Sequence, residues 1–245
     1  MDYRNTVEFS VTGDYALFSD PITRVGGEKC SYHIPTYEAL KGILHSVYWK
    51  PTLIWYIDKV RIMNNIQTTT QNVRPIDYNS HGNELSIYTY LRDVHYQVKA
   101  HFDWNFNRPE LLHDRNEHKH HNIAKRMITR GGRRDVFLGT RECQGYVEPC
   151  VFGEGASVYD NTTELAFGYM FHGFTYADEA ERENEKNKLS VRFFRPIMKN
   201  GVVSFPLPKE CDENDGRIIR DSDTKVFGEG NFVGISEFFE GGADS

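Results

Sequence analysis

Cysteine is scarce in this chain: four occur in 245 residues (Cys30, Cys143, Cys150 and Cys211), and no two stand in CxxC spacing. A disulfide framework or zinc ribbon is therefore excluded as the organising device, and reduced thiols in a cytosolic compartment are expected. Long apolar runs are also missing, since no stretch approaches the roughly 18 residues of a membrane helix. The opening MDYRNTVEFS has neither the basic nor the apolar half of a signal peptide. A cytoplasmic protein with no membrane partner follows as the expectation. Walker, GxGxxG and GxSxG sequences are lacking, as is a carboxylate pair at catalytic spacing, so nucleotide hydrolysis, hydride transfer and acyl transfer lose their usual supports. An overall positive charge is absent too. The net charge of −6 argues against indiscriminate coating of polyanions.

What is present is one local concentration of basic groups. Between residues 108 and 145 nine Lys/Arg stand against five acids, and His113, His118, His120 and His121 lie among them. From Asp178 onward the balance reverses, with fifteen acids against ten Lys/Arg. A basic face on an acidic protein fits a selective anion site, and phosphate is the natural ligand.

The chain reads in order as follows. Val7, Phe9 and Val11 alternate with polar residues as a strand broken at Gly13-Asp14. Pro35-Thr36 opens a helix with Leu40, Ile43, Leu44 and Val47 on one face, stopped by Pro51. Leu53–Ile66 is β-rich. The strongest strand signal is Val94, Tyr96, Val98, Ala100, Phe102 and Trp104, alternating with residues that should form a wet face. Asp114 and Glu117 make a capping-box-like start to a second helix, with Ile123, Ala124, Met127 and Ile128 as its apolar stripe. Gly131-Gly132 ends it, and Val136, Phe137 and Leu138 open a further strand.

Strand, helix, strand, strand, helix, strand is the βαββαβ order of a ferredoxin-like, RRM-like domain, placed at residues 1–148. Residues 149–245 then read as a smaller antiparallel β-sheet domain, with a hairpin at Asn200-Gly201 and an acidic tail. The expected fold class is α+β.

Three constellations could carry chemistry. His120 aligns with Ile123 and Met127, at the edge of the buried face, where a partner could hold it for proton transfer while Lys119 neutralises phosphate charge. The plainer alternative is a solvated, basic helix start. Zinc is disfavoured because no histidine pair here has i, i+4 spacing with a third ligand in view. Tyr48 closes the first helix as a core aromatic; if both helices share one face of the sheet, it becomes a neighbour of Lys119 and His120. Arg130-Gly131-Gly132-Arg133-Arg134 could bring backbone and guanidinium groups against a phosphate, although a glycine pair after a helix is also an ordinary cap.

The blocks GDYALFSDPITRVGGEKCSYHIPTYEALKGIL, HSVYWKPT, VRPIDY, DVHYQVKAHF, DRNEHKHH and GGRRDVFLGTRECQGYVEPC closely resemble the CRISPR-associated Cas-five family of the Dvulg (subtype I-C) class, a branch of the RAMP superfamily. The resemblance covers about residues 5 to 153 and is looser beyond. It implies an endoribonuclease that cuts CRISPR precursor RNA within each repeat, without metal or cofactor. It also implies that the protein stays with the crRNA among the other subunits of the prokaryotic type I-C interference complex. Matched by position, it implies Tyr48, Lys119 and His120 as catalytic residues. The repeat RNA hairpin would meet Arg130, Gly131, Gly132, Arg133 and Arg134, with His121 beside them. The alternative role is a non-catalytic subunit gripping the crRNA 5′ end.

Overall fold

The computed structural model describes residues 5–74, 85–211 and 217–224. Its elements in chain order are β1 (Val7–Ala16), the short β2 (Lys29–Cys30), α1 (Tyr37–Val47), β3 (Leu53–Ile62), β4 (Thr68–Val73) and β5 (Ser86–Trp104). There follow α2 (Glu117–Thr129), β6 (Val136–Phe137), β7 (Gln144–Pro149), β8 (Leu165–Ala166), β9 (Met170–Thr175), β10 (Lys188–Phe194), β11 (Ile197–Lys199), β12 (Val202–Ser204) and β13 (Arg217–Asp221). The architecture is mixed α and β, dominated by antiparallel sheet. Part of the VRPIDY block and the acidic tail after Thr224 lie outside the described residues.

The main sheet runs β6-β7-β1-β5-β3-β12-β11-β8, with β2 and β4 also pairing β5. Within it β7, β1, β5 and β3 are neighbours in that order, all antiparallel. With α1 between β1 and β3, and α2 between β5 and β7, this order is compatible with the ferredoxin-like pattern. The strand after Gly132 is a correction: β6 is only two residues long, and the strand that pairs β1 is β7.

Gly13 is a second correction, because β1 does not break there. Its backbone stays paired with Val94, and a Cβ at Gly13 would lie 2.5 Å from Leu138 Cδ1. The glycine admits a close-packed leucine within an unbroken strand. Nor is the polar face of β5 uniformly wet, since Gln97 and His101 are buried. The backbone of Glu154 accepts from Gln97, and that of Gly153 donates to it; Asp58 Oδ1 lies 2.8 Å from His101 Nδ1.

Both helices begin at a side-chain cap and bury one stripe. Thr36 caps α1 by accepting from the Ala39 N–H at 3.2 Å, and α1 buries Leu40, Ile43, Leu44 and Val47. For α2 the cap is Asn116, whose side chain accepts from the Lys119 N–H, not the expected Asp114. Asp114 instead ends a 3₁₀ turn, Pro109–Asp114. Ala124 and Ile128 of α2 join Leu40, Leu44, Trp55, Val98, Ala100 and Phe102 in one core. Cutting Ile128 to alanine there would cost about 2–5 kcal/mol.

The Asn200-Gly201 turn takes positive φ values of 48° and 78° between β11 and β12, as a tight hairpin requires. β10 and β11 are separated only by Arg195-Pro196 and go to different sheets. β13, β10 and β9 form the separate three-stranded sheet.

Candidate active site

α1 leaves the helical conformation at Tyr48, whose extended backbone still donates its N–H to Leu44 O at 2.7 Å. Tyr48 O accepts from the Trp55 indole N–H at 2.8 Å, which anchors the backbone at this residue. Across the helix pair, Tyr48 Oη lies 2.7 Å from His120 Nδ1. Nε2 of the same ring lies 2.7 Å from the backbone carbonyl of Asp114 and 3.5 Å from its carboxylate. A carbonyl can only accept, so Nε2 carries a proton. In the neutral ring Nδ1 is then the acceptor and Tyr48 the donor.

Asp114 organises this set. Its carboxylate accepts from Thr52 Oγ1 at 2.8 Å and is ion-paired with the Lys119 ammonium. Desolvation pushes its pKa up, but Lys119, Thr52 and His120 outweigh that and hold it below the ordinary carboxylate value. Burial and the Asp114 charge push the Tyr48 phenol up to about 12, against an opposing effect from Arg133. Trp104, Phe102 and Tyr48 surround the imidazole, with ring centroids 5.7, 6.4 and 6.0 Å away. His120 has no exposed surface and Tyr48 only 3%, whereas the Lys119 side chain is half-exposed.

Tyr48, Lys119 and His120 are thus brought together. The arginine loop is brought to them as well, by a route that hydrogen bonding explains. The last turn of a helix leaves carbonyls without partners. The Arg133 and Arg134 N–H groups donate to Ser46 O of α1, and Arg133 also to Val47 O, at 3.0–3.2 Å. Gly131 and Gly132 permit the turn with φ of +79° and +115°. Arg130, Arg133 and Arg134 are exposed. His121 does not join the set. It turns to the start of β1, with Nε2 2.9 Å from Thr6 O.

Other basic residues of the 108–145 stretch hold the fold. Arg108 is buried against Asp178, and Arg115 donates to the carbonyls of Asn105 and Arg108. A cleft of about 540 Å³ lies elsewhere, between the start of β1 and the end of α2, and none of Tyr48, Lys119 or His120 lines it. Sequence reasoning missed Asp114 and Thr52 as members of the site. Asp114 stands six residues before His120, and its resemblance to a helix cap masked it.

An antiparallel α+β fold thus holds a buried Tyr48-His120 pair against the half-buried Asp114, bordered by Lys119 and an exposed arginine loop. Residues 6–206 match the family described as CRISPR-associated protein (Cas_Cas5), and the chain belongs to that family. A relative from Mannheimia succiniciproducens named CRISPR pre-crRNA endoribonuclease Cas5d is 25% identical over 242 residues, taking in 82% of this chain and 95% of that protein. A relative of the same name from Thermus thermophilus is 24% identical over 227 residues, with 83% and 92% covered. A crystal structure of a CRISPR-associated protein is similar at a TM-score of 0.68 and 36% identity, covering 84% of this chain and 94% of that one.

Proposed function

We propose that this protein is a metal-independent endoribonuclease that cleaves CRISPR precursor RNA within its repeats and remains bound as a subunit of the type I-C interference complex. The observation that carries the reading is the Tyr48-His120-Asp114 relay beside an exposed ammonium and two loop arginines. The ribose 2′-hydroxyl attacks the adjacent phosphate, forming a 2′,3′-cyclic phosphate and releasing a 5′-hydroxyl. Because the nucleophile belongs to the substrate, the protein need only align it, move protons and neutralise charge.

Buried His120 acts through Tyr48: the phenol passes its proton to Nδ1 while its oxygen takes the proton of the 2′-hydroxyl, and as the bond from phosphorus to the 5′-oxygen breaks that oxygen takes a proton from solvent water. Asp114 steadies the imidazolium that forms. Lys119 leaves Asp114 for the equatorial phosphate oxygens, and Arg133 and Arg134 hold the backbone near the repeat hairpin. Recognition by stem shape and unpaired flanking bases is the usual RNA mode.

The test is incubation of the purified protein with repeat RNA in excess chelator. Cleavage at one site, blocked by a single 2′-deoxy substitution there, supports the reading. Cutting of the deoxy substrate at an undiminished rate refutes it. Burial of His120 favours a second reading, in which the protein grips the crRNA 5′ end without cutting. Tight binding with no cleavage in the same experiment supports that one.

A further inference from the structure

The three-stranded sheet β13-β10-β9 has two unlike faces. Met170, His172, Thr175, Ser190, Arg192 and Phe194 point into the protein and are buried. The alternate positions carry an unbroken row of five aromatic rings. Tyr169 stacks on Phe193 with centroids 5.0 Å apart and planes 16° apart. Phe193 meets Phe171 edge-on at 6.4 Å, Phe171 meets Phe174 at 5.0 Å, and Phe174 meets Tyr176 at 6.1 Å. Phe171, Phe174 and Phe193 are half-buried, while Tyr169 and Tyr176 are 44% and 41% exposed. An exterior sheet face ordinarily carries polar residues.

Charge indicates what this face takes. The Arg195 guanidinium sits over the Tyr169 ring, 5.8 Å from its centroid, so a cation already meets a π-face at that end. Exposed Arg217 pairs in register with Val191, which pairs in turn with Phe174, and this places the arginine on the aromatic side of the sheet. Exposed Arg220 follows on the same strand. The opposite end of the row carries both signs: the Tyr176 hydroxyl donates to Glu38 at 3.4 Å, and the Lys41 ammonium lies 5.8 Å from the Tyr176 ring centroid. Flat π-faces beside guanidinium groups suit a ligand with stacked rings along an anionic backbone. From Glu38 the length of α1 leads to Tyr48, roughly 15 Å away at 1.5 Å per residue, a span that a few unpaired nucleotides cover.

We propose that the outer face of this sheet is a base-stacking platform for single-stranded RNA, a proposal that rests on the RNA-handling role given above. Bases lie on the Tyr169–Phe193–Phe171 rings, and the phosphates follow Arg195, Arg217 and Arg220. Because every base offers a π-face, the platform holds unpaired flanks with little regard to sequence.

Fluorescence anisotropy with a labelled twelve-adenosine RNA, and with an abasic ribose-phosphate oligomer of equal length, tests this on the full chain. Tyr169→Ala removes an exposed ring, while Phe171→Leu and Phe193→Leu keep apolar volume and remove only the aromatic face. Each should weaken binding of the adenosine RNA about tenfold and leave the abasic oligomer unaffected. Wild-type affinity for the adenosine RNA in all three variants overturns the proposal, and is the result expected of a face built for a protein partner. Abasic RNA binding as tightly as adenosine RNA overturns it as well, leaving charge alone. Failure of the chelator cleavage experiment, with the ring-dependent binding intact, would remove the catalytic reading and leave the platform standing.

Discussion

Replacing Tyr48 with phenylalanine tests the relay most directly. The substitution deletes one oxygen and keeps the ring that packs in the core. The hydroxyl donates to Nδ1 of an imidazole with no exposed surface, so the variant leaves a buried acceptor without that donor. Stranding such a group costs about 1–3 kcal/mol. At about 2–4 °C per kcal/mol for a chain of this length, the melting temperature should fall by about 2–12 °C. Cleavage should fall further, because a positioned proton-transfer group contributes about 10²–10⁴-fold. Single-turnover cleavage of repeat RNA in chelator, at a temperature where both proteins are fully folded, separates the two effects. If phenol and imidazole act as one unit, His120→Ala should cost about as much, and the double variant little more than either. A Tyr48→Phe enzyme cutting within twofold of wild type would refute the relay, as would losses that simply multiply in the double variant.

Lys119→Met should slow cleavage about 10²–10³-fold by removing charge stabilisation, while the melting temperature stays almost unchanged, since the Lys119 side chain is half-exposed. Acidification should destabilise the fold through His172, which burial and the Arg192 and Lys41 charges lower to about 3. With the unfolded value near 6.5, its contribution is complete above that pH and is lost as pH falls toward 3, amounting to about 2 kcal/mol by pH 5. A urea-melt series from pH 7 to 5 reads this, and His172→Asn should lessen the dependence, leaving the part due to His45, which burial and the Lys41 charge also lower to about 3. Gly139→Ala should destabilise the protein severely by thermal melt: φ there is +96°, and a Cβ would lie 2.0 Å from Leu17 O.

The sequence by itself determined each element that obeys a local period. The alternation through Val94–Trp104 and the stripe Leu40–Val47 describe β5 and α1 because side-chain direction repeats every two residues in a strand and about every 3.6 in a helix. The same periodicity set His120 at the edge of the buried stripe, and the glycine pair marked the end of α2. Only the tertiary structure decided that Gly13 continues β1, that β7 rather than β6 pairs β1, and that Asp114 binds Lys119 and His120 instead of capping a helix. Each of these depends on a group distant in sequence or on a competing local pairing: Leu138 packed over Gly13, β6 paired with β7, Thr52 on Asp114. Periodicity says which way a side chain points, but the partner it meets is set by how the sheet and helices close on one another.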